Sequence, residues 1–410
     1  MNKPASPLLD ADVALERLLA AAPVLPDVQT LPLAAALGRV LAADVRSTID
    51  VPPADNTAMD GYALRCADVP VAGTRLPVSQ RIPAGSVPQP LQPGTAARIF
   101  TGGLIPPGAD AVVPQEQCTA QEQAVRIDIV PSRGDWVRQR GLDVQAGSTV
   151  LAAGQRLRPQ DLGLAASVGV AQVTVRRRPR VAVLFTGDEL AMPGEPLRPG
   201  AIYNSNRFVI QALLQAAGCE VSDFGIVPDR LDATRAVMRQ AAEGHDLIVS
   251  TGGMSVGEED HVKPAVQAEG ALDLWQIAIK PGKPLAFGHV RRSGEGAAAF
   301  IGLPGNPVSS FVTFLLFVRP FLLAMQGAAQ TAPVALPVRA AFDWPRPDKR
   351  REFLRVRLNA EGQAELFPSQ NSAVLTSTVW ADGLVDNPAQ QPITRGDIVR
   401  YLPFSSLLSG

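Results

Sequence analysis

The sequence contains few cysteines, histidines and aromatic residues. Its three cysteines are Cys66, Cys118 and Cys219, it has three histidines, and aromatic residues make up 5% of the chain. Because the cysteines are far apart and odd in number, they do not fit a zinc finger, a redox pair or a disulfide framework. We expect buried thiols in a reducing compartment. The histidines lack metal-ligand spacing, so no transition-metal site built from protein ligands is predicted.

The sequence also lacks an excess of charge of either sign. Lysine and arginine total 38 and aspartate and glutamate total 39, which gives a net charge of -1. A general nucleic-acid or membrane-surface binder needs a strongly basic surface, so this balance argues against both classes. Any recognition of an anion must therefore be local.

No apolar run is long enough to predict a membrane span. Residues 1–10 contain no basic segment followed by an apolar core, so we predict no signal peptide. The most apolar segment, residues 308–318, is interrupted by Arg319 and Pro320 before it reaches the roughly 20 apolar residues that a span requires. We therefore expect a helix buried against a sheet, in a cytoplasmic protein.

Glycine and proline are abundant, and their distribution suggests several domains within the 410 residues. They are dense in residues 48–144, where short β-branched runs predict a small all-β domain. Residues 179–327 alternate strands with long helices, which predicts a parallel sheet with right-handed crossovers. Residues 328–410 predict a β-barrel or sandwich. Residues 1–47 begin with a helical pattern and could join residues 145–178 in a discontinuous linking domain.

The α/β region contains the stretch that is richest in functional groups. An apolar strand runs into a glycine-rich loop, and an acidic residue and a lysine pair follow: Ser250, Thr251, Gly252, Gly253, Asp260, Lys280 and Lys283. Ligands of open α/β sheets bind at the carboxyl ends of the strands, where glycines let backbone N–H groups approach an anion. A carboxylate suits hydrated Mg²⁺, and lysines suit phosphate. The combination predicts a phosphate and magnesium site; the alternative is a tight turn among solvated charges.

Other predicted strands of this region also end in polar loops. These loops are Thr186-Gly187-Asp188-Glu189, Pro228-Asp229 and Pro304-Gly305-Asn306-Pro307. Farther along, the C-terminal region begins with seven basic residues against three acidic ones. This charge run is either a solvated face or a surface that faces phosphate.

Two sets of motifs resemble the molybdopterin molybdenumtransferase family, which includes MoeA and the E domain of gephyrin. The first set is PPADNTAMDGYA at residues 52–63 with TGGLIPPGADAVV at residues 101–113. The second set comprises residues 186–190, 251–253, 280–284 and 303–307. Because the motifs extend over nearly the whole chain, the resemblance covers every predicted domain.

The resemblance implies the last step of molybdenum cofactor biosynthesis, in which molybdate is inserted into adenylylated molybdopterin and AMP is released in a Mg²⁺-dependent reaction. It implies an elongated homodimer of four-domain subunits, with the active site between the α/β domain of one chain and the all-β domain of the other. It also supports the discontinuous first domain. Further expected partners are the molybdopterin adenylyltransferase and the molybdoenzymes, or their chaperones, that accept the cofactor.

The same resemblance assigns roles to individual residues. The expected catalytic residues are Asp60, Thr101, Asp143, Glu189, Asp229 and Asp260. Among them, the expected metal ligands are Asp229, Asp260 and Glu189, and Glu189 could also act as a general base. The expected binding residues for the substrate are Thr186, Gly187, Ser205, Ser250, Thr251, Gly252, Gly253, Lys280, Lys283, Pro304, Pro307, Arg355 and Ser372.

Several alternatives remain open at this stage. Asp60 could only form an Asp-Gly turn, Glu189 could only stabilise a helix terminus, and Arg355 could be a solvated barrel residue. Many family members have a lysine after the tryptophan that precedes the lysine-proline motif, but here Gln276 follows Trp275. At the level of function, the alternatives are adenylyl transfer to molybdopterin and a non-catalytic scaffold that binds the cofactor.

Overall fold

The computed structural model describes residues 8–253 and 261–408, in which three six-stranded sheets dominate. The chain begins with the helix Ala11–Ala21. The Asp10 carboxylate caps this helix, because it accepts hydrogen bonds from the backbone N–H groups of Asp12 (2.8 Å) and Val13 (3.4 Å). The helical pattern predicted for the start of residues 1–47 is confirmed.

Two pairs of short strands connect the beginning of the chain with residues well over a hundred positions later. Val28–Pro32 pairs with Gln172–Arg176, and Val45–Arg46 pairs with Thr149–Leu151, both antiparallel. These pairings are compatible with a discontinuous linking domain, whose boundaries stay a prediction. Between these strands, Leu33–Ala35 forms a single 3₁₀ turn. The second helix of this region is Pro159–Ser167.

The inserted region folds into a six-stranded, mainly antiparallel sheet. In spatial order its strands are Ala111–Pro114, Gly61–Leu64, Ala96–Ile99, Thr74–Ile82, Ala124–Ile127 and Cys118–Ala120. A Cβ atom at Gly61 would overlap the carbonyl oxygen of Val113, so only glycine allows these two strands to approach each other. The two-residue strands Asn56–Thr57 and Val137–Arg138 pair beside this sheet.

The α/β region contains a sheet that is mixed and not wholly parallel. Its strands, in spatial order, are Glu220–Val227, Arg180–Thr186, Leu247–Thr251, Ala297–Leu303, Pro284–Arg291 and Gly270–Gln276. The first four strands are parallel, and the last two are antiparallel to their neighbours. The sequence interpretation missed this last hairpin, because the Pro- and Gly-rich segment 280–284 hides the alternation of its strands.

Helices cover both faces of this mixed sheet. They are Ser205–Ala216, Leu231–Gly244, Val262–Glu269 and the continuous helical stretch from Pro307 to Met325. The strand Arg180–Thr186 is buried from its second residue to its last, as expected for a strand that is covered on both faces. The predicted alternation of strands and helices in this region is confirmed.

The most apolar helix is a core helix. The stretch Pro307–Met325 is long and apolar enough to cross a membrane, but 89% of its most apolar window is buried inside the protein. The predicted buried helix is confirmed, and it continues through Arg319 and Pro320. A π-helical turn, Phe314–Val318, precedes the proline and accommodates its missing N–H, while the Arg319 guanidinium donates to the carbonyl oxygen of Ser406 (3.0 Å).

The C-terminal region forms a curved sheet that takes its first strand from the α/β region. Its strands are Ile279–Lys280, Arg351–Leu358, Gly383–Asn387, Ile398–Pro403 and Leu336–Arg339, with Ala364–Leu366 paired to the second. The helices here are Thr376–Trp380 and Phe404–Leu408. Because Lys280 pairs with Glu352, the two regions share a continuous backbone hydrogen-bond network.

The three cysteines are free thiols, as predicted, but only Cys219 is fully buried. Cys66 and Cys118 are half-buried. Burial raises the pKa of Cys66 to about 11 and the pKa values of Cys118 and Cys219 to about 12. All three therefore remain protonated and unreactive at neutral pH.

Candidate active site

The polar loops of the α/β region meet at one edge of the mixed sheet. The ends of the four parallel strands are in register, because Thr186 is opposite Val227, Phe185 is opposite Thr251, and Thr251 is opposite Leu303. The loops that follow these strands contain Gly187 to Glu189, Asp229, Gly252 with Gly253, and Pro304 to Pro307. The predicted meeting of loops at the carboxyl ends of the strands is confirmed.

Two of these loops contact each other closely. Gly252 and Gly253 have φ angles of +87° and +64°, which favour glycine. A Cβ atom at Gly252 would lie 2.6 Å from the carbonyl oxygen of Thr186, and one at Gly253 would lie 2.5 Å from a methyl group of Val262. Both glycines are therefore needed for the Thr-Gly-Gly loop to pack against the neighbouring strand end and helix.

A cleft of about 720 Å³ opens beside this loop, between the α/β region and the C-terminal region. The lining residues are Gly252, Gly253, Gln276, Lys280, Pro281, Gly282, Lys283, Pro284, Pro304, Gly305, Asn306, Ser309, Arg350, Gln370, Asn371 and Ser372. In the described part of the chain this lining contains three cationic side chains, four side-chain amides and no carboxylate. It is therefore suited to an anionic ligand that also accepts and donates hydrogen bonds.

The two lysines of the cleft have different surroundings. The ammonium group of Lys280 lies 3.2 Å from the carboxylate of Glu352 and 3.5 Å from that of Asp348. Glu352 is 1% exposed and also accepts from the indole N–H of Trp344 (2.7 Å). Lys283 is exposed and has no ion pair within the described residues. Its positive charge is thus less compensated than that of Lys280.

A second ion pair forms the wall next to Lys280. Asp348 accepts two hydrogen bonds from the guanidinium of Arg350, at 3.0 and 2.9 Å. This bidentate pair, with a smaller contribution from Lys280, lowers the pKa of the Asp348 carboxyl. Arg350 is therefore held in a fixed orientation at the cleft.

The loop around Gly282 packs against the core helix Pro307–Met325. Gly282 has a φ of +103°, and a Cβ atom there would overlap the hydroxyl of Thr313. Thr313 is fully buried, and its hydroxyl has no hydrogen-bond partner in the described part of the chain. The Lys-Pro-Gly-Lys-Pro segment therefore depends on glycine at this position to lie flat on the helix.

Ser372 lines the cleft, whereas Arg355 lies beneath it. The side chain of Arg355 is 1% exposed, and it donates to the carbonyl oxygens of Phe353 (3.2 Å) and Asn371 (3.5 Å) and to the hydroxyl of Ser377 (3.3 Å). Burial lowers its pKa to about 10. The expectation that Arg355 contacts the substrate directly does not fit this position; it supports the loop that contains Ser372.

Asp60 and Thr101 lie together at one end of the sheet of the inserted region. The Asp60 carboxylate accepts hydrogen bonds from both the backbone N–H and the hydroxyl of Thr101, each at 2.7 Å. These two hydrogen bonds lower the pKa of Asp60, the backbone one most. Neither residue lines the cleft.

The remaining expected site residues are more scattered. Asp143 lies in a turn that pairs with Val51, and Glu189 is exposed, with its carboxylate packed over Gly187. Asp229 is half-buried after its strand, and Ser205 begins a helix that Asn204 caps. Pro304 lines the cleft and Pro307 begins the core helix. Ser250, Thr251 and Thr186 are buried, and Asp260 lies outside the described residues.

Sequence reasoning overlooked several residues that line the cleft. Asn306 belongs to a motif that was recognised, but we considered it only as a turn residue. Gln370 and Asn371 follow no periodic pattern, and Gln370 is fixed by exchanging hydrogen bonds with the backbone of Arg355 (2.9 and 3.1 Å). No local sequence signal could have identified these two amides.

The fold and the cleft define a multidomain protein with a cationic, amide-lined cleft at the edge of its α/β sheet. Three family models match the chain: the MoeA N-terminal region (domains I and II) at residues 9–169, the probable molybdopterin binding domain at residues 182–324, and the MoeA C-terminal region (domain IV) at residues 337–404. Together they cover most of the sequence.

Individual relatives agree with these family models. The chain is 38% identical to a molybdopterin molybdenumtransferase from Haemophilus influenzae, over 98% of this chain and 100% of that protein. It is 39% identical to one from Nostoc, over 80% of this chain and 76% of that protein. The crystal structure of a MoeA protein from Pyrococcus horikoshii superimposes with a TM-score of 0.84 at 29% identity, over 97% of this chain and 100% of that one.

The chain belongs to the molybdopterin molybdenumtransferase family. The resemblance inferred from the motifs and the predicted fold class are both confirmed. These relatives give no support to the alternative of an adenylyltransferase.

Proposed function

We propose that this protein inserts molybdate into adenylylated molybdopterin and releases AMP. Membership of the family makes it a transferase of molybdenum cofactor biosynthesis. The observation that carries the more specific proposal is the cleft, where Lys280, Lys283 and Arg350 surround a space of about 720 Å³. An adenylylated pterin with its phosphate groups needs such a cationic and amide-rich surface.

The cleft residues would bind and orient the substrate. Lys283 is the least compensated cation and is our choice for a phosphate contact, while Arg350, fixed by Asp348, offers planar N–H groups. The amides of Gln276 and Asn306 can donate hydrogen bonds to phosphate or to the pterin. Gln276 provides no charge, so Lys283 would have to compensate for the lysine that many relatives have there.

Magnesium remains a prediction. Within the described residues no group of three acidic, histidine or cysteine side chains is close enough together to hold a metal ion. Glu189 and Asp229 follow neighbouring strands but do not by themselves form a site, and Asp260 lies outside the described residues. Because Mg²⁺ usually takes one or two carboxylates together with substrate phosphates, we assign it no step of the reaction here.

We further propose that Asp60, Thr101 and Asp143 complete the site from a second copy of the chain. In the described part of the protein the cleft lining contains no carboxylate and no residue of the inserted region. A hydrolytic step on a phosphoanhydride usually needs a carboxylate that orients water or a metal, and Asp60 is half-buried, with a lowered pKa that favours its ionised form. A homodimer would bring the two surfaces together.

The test is AMP release by the purified protein from adenylylated molybdopterin, with molybdate and Mg²⁺ present. We expect release that depends on both additions, and we expect it to fall when Mg²⁺ is removed with a chelator. A Lys283→Ala variant should raise KM about tenfold, as is typical for the loss of a charge-assisted hydrogen bond. Arg291→Ala, an exposed cation at the far end of the strand that begins at Pro284, is the control. No AMP above the metal-free control would overturn the proposal.

A further inference from the structure

Two arginines of the inserted region have no role in the proposed reaction. Arg81 and Arg98 are register partners on the neighbouring strands Thr74–Ile82 and Ala96–Ile99. Neither forms an ion pair with a carboxylate in the described part of the chain. Because like charges directly opposite each other destabilise a sheet, this arrangement calls for a functional explanation.

Arg98 makes an unusual number of contacts for a half-buried arginine. Its guanidinium donates to the carbonyl oxygen of Gly61 (2.9 Å) and to the side-chain oxygen of Gln115 (2.6 Å). It also lies 5.2 Å from the ring centre of Tyr62 and 4.7 Å from that of Phe100. A planar fork with several fixed donors can connect all these groups, which a lysine cannot do.

These contacts surround Asp60. Gly61 follows Asp60 in the chain, and the backbone N–H of Gln115 donates to the carbonyl oxygen of Asp60 (3.0 Å). Phe100 precedes Thr101, whose N–H and hydroxyl hold the Asp60 carboxylate. The guanidinium therefore connects the three chain segments that determine where this carboxylate points.

We propose that Arg98 is a positioning residue that holds the Asp60 carboxylate in its working orientation and in its ionised form. The inference rests on the proposed function, because it has a consequence for turnover only if Asp60 takes part in the reaction. The charged side chains on the neighbouring segments are Arg81, Arg98 and Glu116, which accepts from Gln115. Of these, Arg98 favours the ionised carboxylate by its charge.

The test compares AMP release by Arg98→Ala and Arg98→Lys with the unmodified protein across pH. We expect Arg98→Ala to lower kcat about tenfold or more with KM changed by less than about twofold, since the substrate contacts remain while the geometry of the carboxylate is lost. The acid limb of the pH–rate profile should move to higher pH, because the ionised form loses a favourable charge. Arg98→Lys should keep the acid limb in place and recover only part of kcat.

Arg126→Ala is the matched control. Arg126 lies on the same sheet and pairs with Asp128 (2.7 Å), far along the sheet order from Asp60, so we expect an unchanged kcat and pH profile. If Arg98→Ala does not fold by circular dichroism, Gln115→Ala removes one of its anchors and should show a smaller loss of kcat. Unchanged kinetics of the folded Arg98→Ala variant, or of Gln115→Ala in its place, would overturn the inference.

Measuring turnover of Asp60→Ala distinguishes a failure of this inference from a failure of the proposed function. If Asp60→Ala loses turnover while Arg98→Ala does not, the positioning role is wrong and the proposed function stands. If the unmodified protein releases no AMP from adenylylated molybdopterin, the proposed function itself is wrong.

Discussion

The cleft of the α/β region and the Asp60 corner of the inserted region are opposite in character. The cleft is concave and lined by cations and amides, and it is built from five separate loops that pack on one sheet edge and on the C-terminal region. The Asp60 corner lies at the end of a small sheet, where the exposed Thr101 fixes one half-buried carboxylate. The cleft supplies positive charge and space for a ligand. The Asp60 corner supplies an oriented negative charge.

This difference indicates how the two surfaces are used. Within the described residues, the lining of the cationic cleft has no carboxylate that could accept a proton. The single carboxylate of Asp60, in contrast, cannot by itself bind a large anion. Under the proposed function they are two halves of a single site. The following predictions test this separation.

The largest expected effect is complementation between two inactive variants. Asp60→Ala and Lys283→Ala should each have little activity at low substrate concentration. Unfolded and refolded together, they should recover about a quarter of the unmodified AMP release, because half of the dimers are mixed and each mixed dimer has one intact site of two. Mixing without refolding is the control. No recovery would place both residues in a site within one chain or remove one of them from the site.

The second prediction concerns the ionic network behind the cleft. Glu352→Ala should lower the free energy of unfolding by about 3 kcal/mol, because the half-buried Trp344 and Lys280 lose a buried acceptor. Glu365→Ala breaks an exposed pair with Arg357 on the same sheet and should cost less than about 1 kcal/mol. Urea unfolding measures both. Equal decreases in the free energy of unfolding for the two variants would show that the cleft wall does not depend on this buried network.

The third prediction compares two glycines that have similar backbone angles. Gly282 (φ +103°) lies against Thr313, whereas Gly194 (φ +96°) has open space where a Cβ atom would be. Alanine at either position pays the backbone penalty of about 1 kcal/mol, but at Gly282 the collision should add about 1 to 3 kcal/mol. The difference between the urea unfolding midpoints of Gly282→Ala and Gly194→Ala measures the effect of that collision. If Gly194→Ala is as destabilising as Gly282→Ala, packing on the core helix does not determine the loop.

The smallest expected effect is a pH dependence of stability at the cleft wall. Because Arg350 lowers the pKa of Asp348 in the folded protein, the ionised carboxylate adds stability above its unfolded pKa of about 4. This stability is lost as the pH falls through the lower folded value. Asp348→Asn should therefore be less stable than the unmodified protein at pH 7. The difference in their free energies of unfolding should narrow below about pH 4. A gap that is constant from pH 7 to pH 3 would contradict this account.

Much of the fold followed from local patterns. The strands of the parallel part of the sheet and the helices between them had clear signals in spacing and in flanking residues. The hairpin of residues 270–291 was missed, since its loop is dominated by proline and glycine. The course of the core helix through Arg319 and Pro320 also depends on distant partners, such as the carbonyl oxygen of Ser406. A hydrogen-bond partner that is distant in the chain cannot be predicted from the residues next to the helix.

The sequence by itself determined the family, the order of the regions and the lysine and glycine motifs of the cleft, because these depend on short runs of residues. Only the tertiary structure decided which of these groups face the cleft. It placed Lys280 on buried Glu352, left Lys283 exposed, and put Arg355 below the surface that Ser372 lines. Burial and ion pairing arise from residues that are distant in the chain, so the charge that remains for a ligand is a property of the fold.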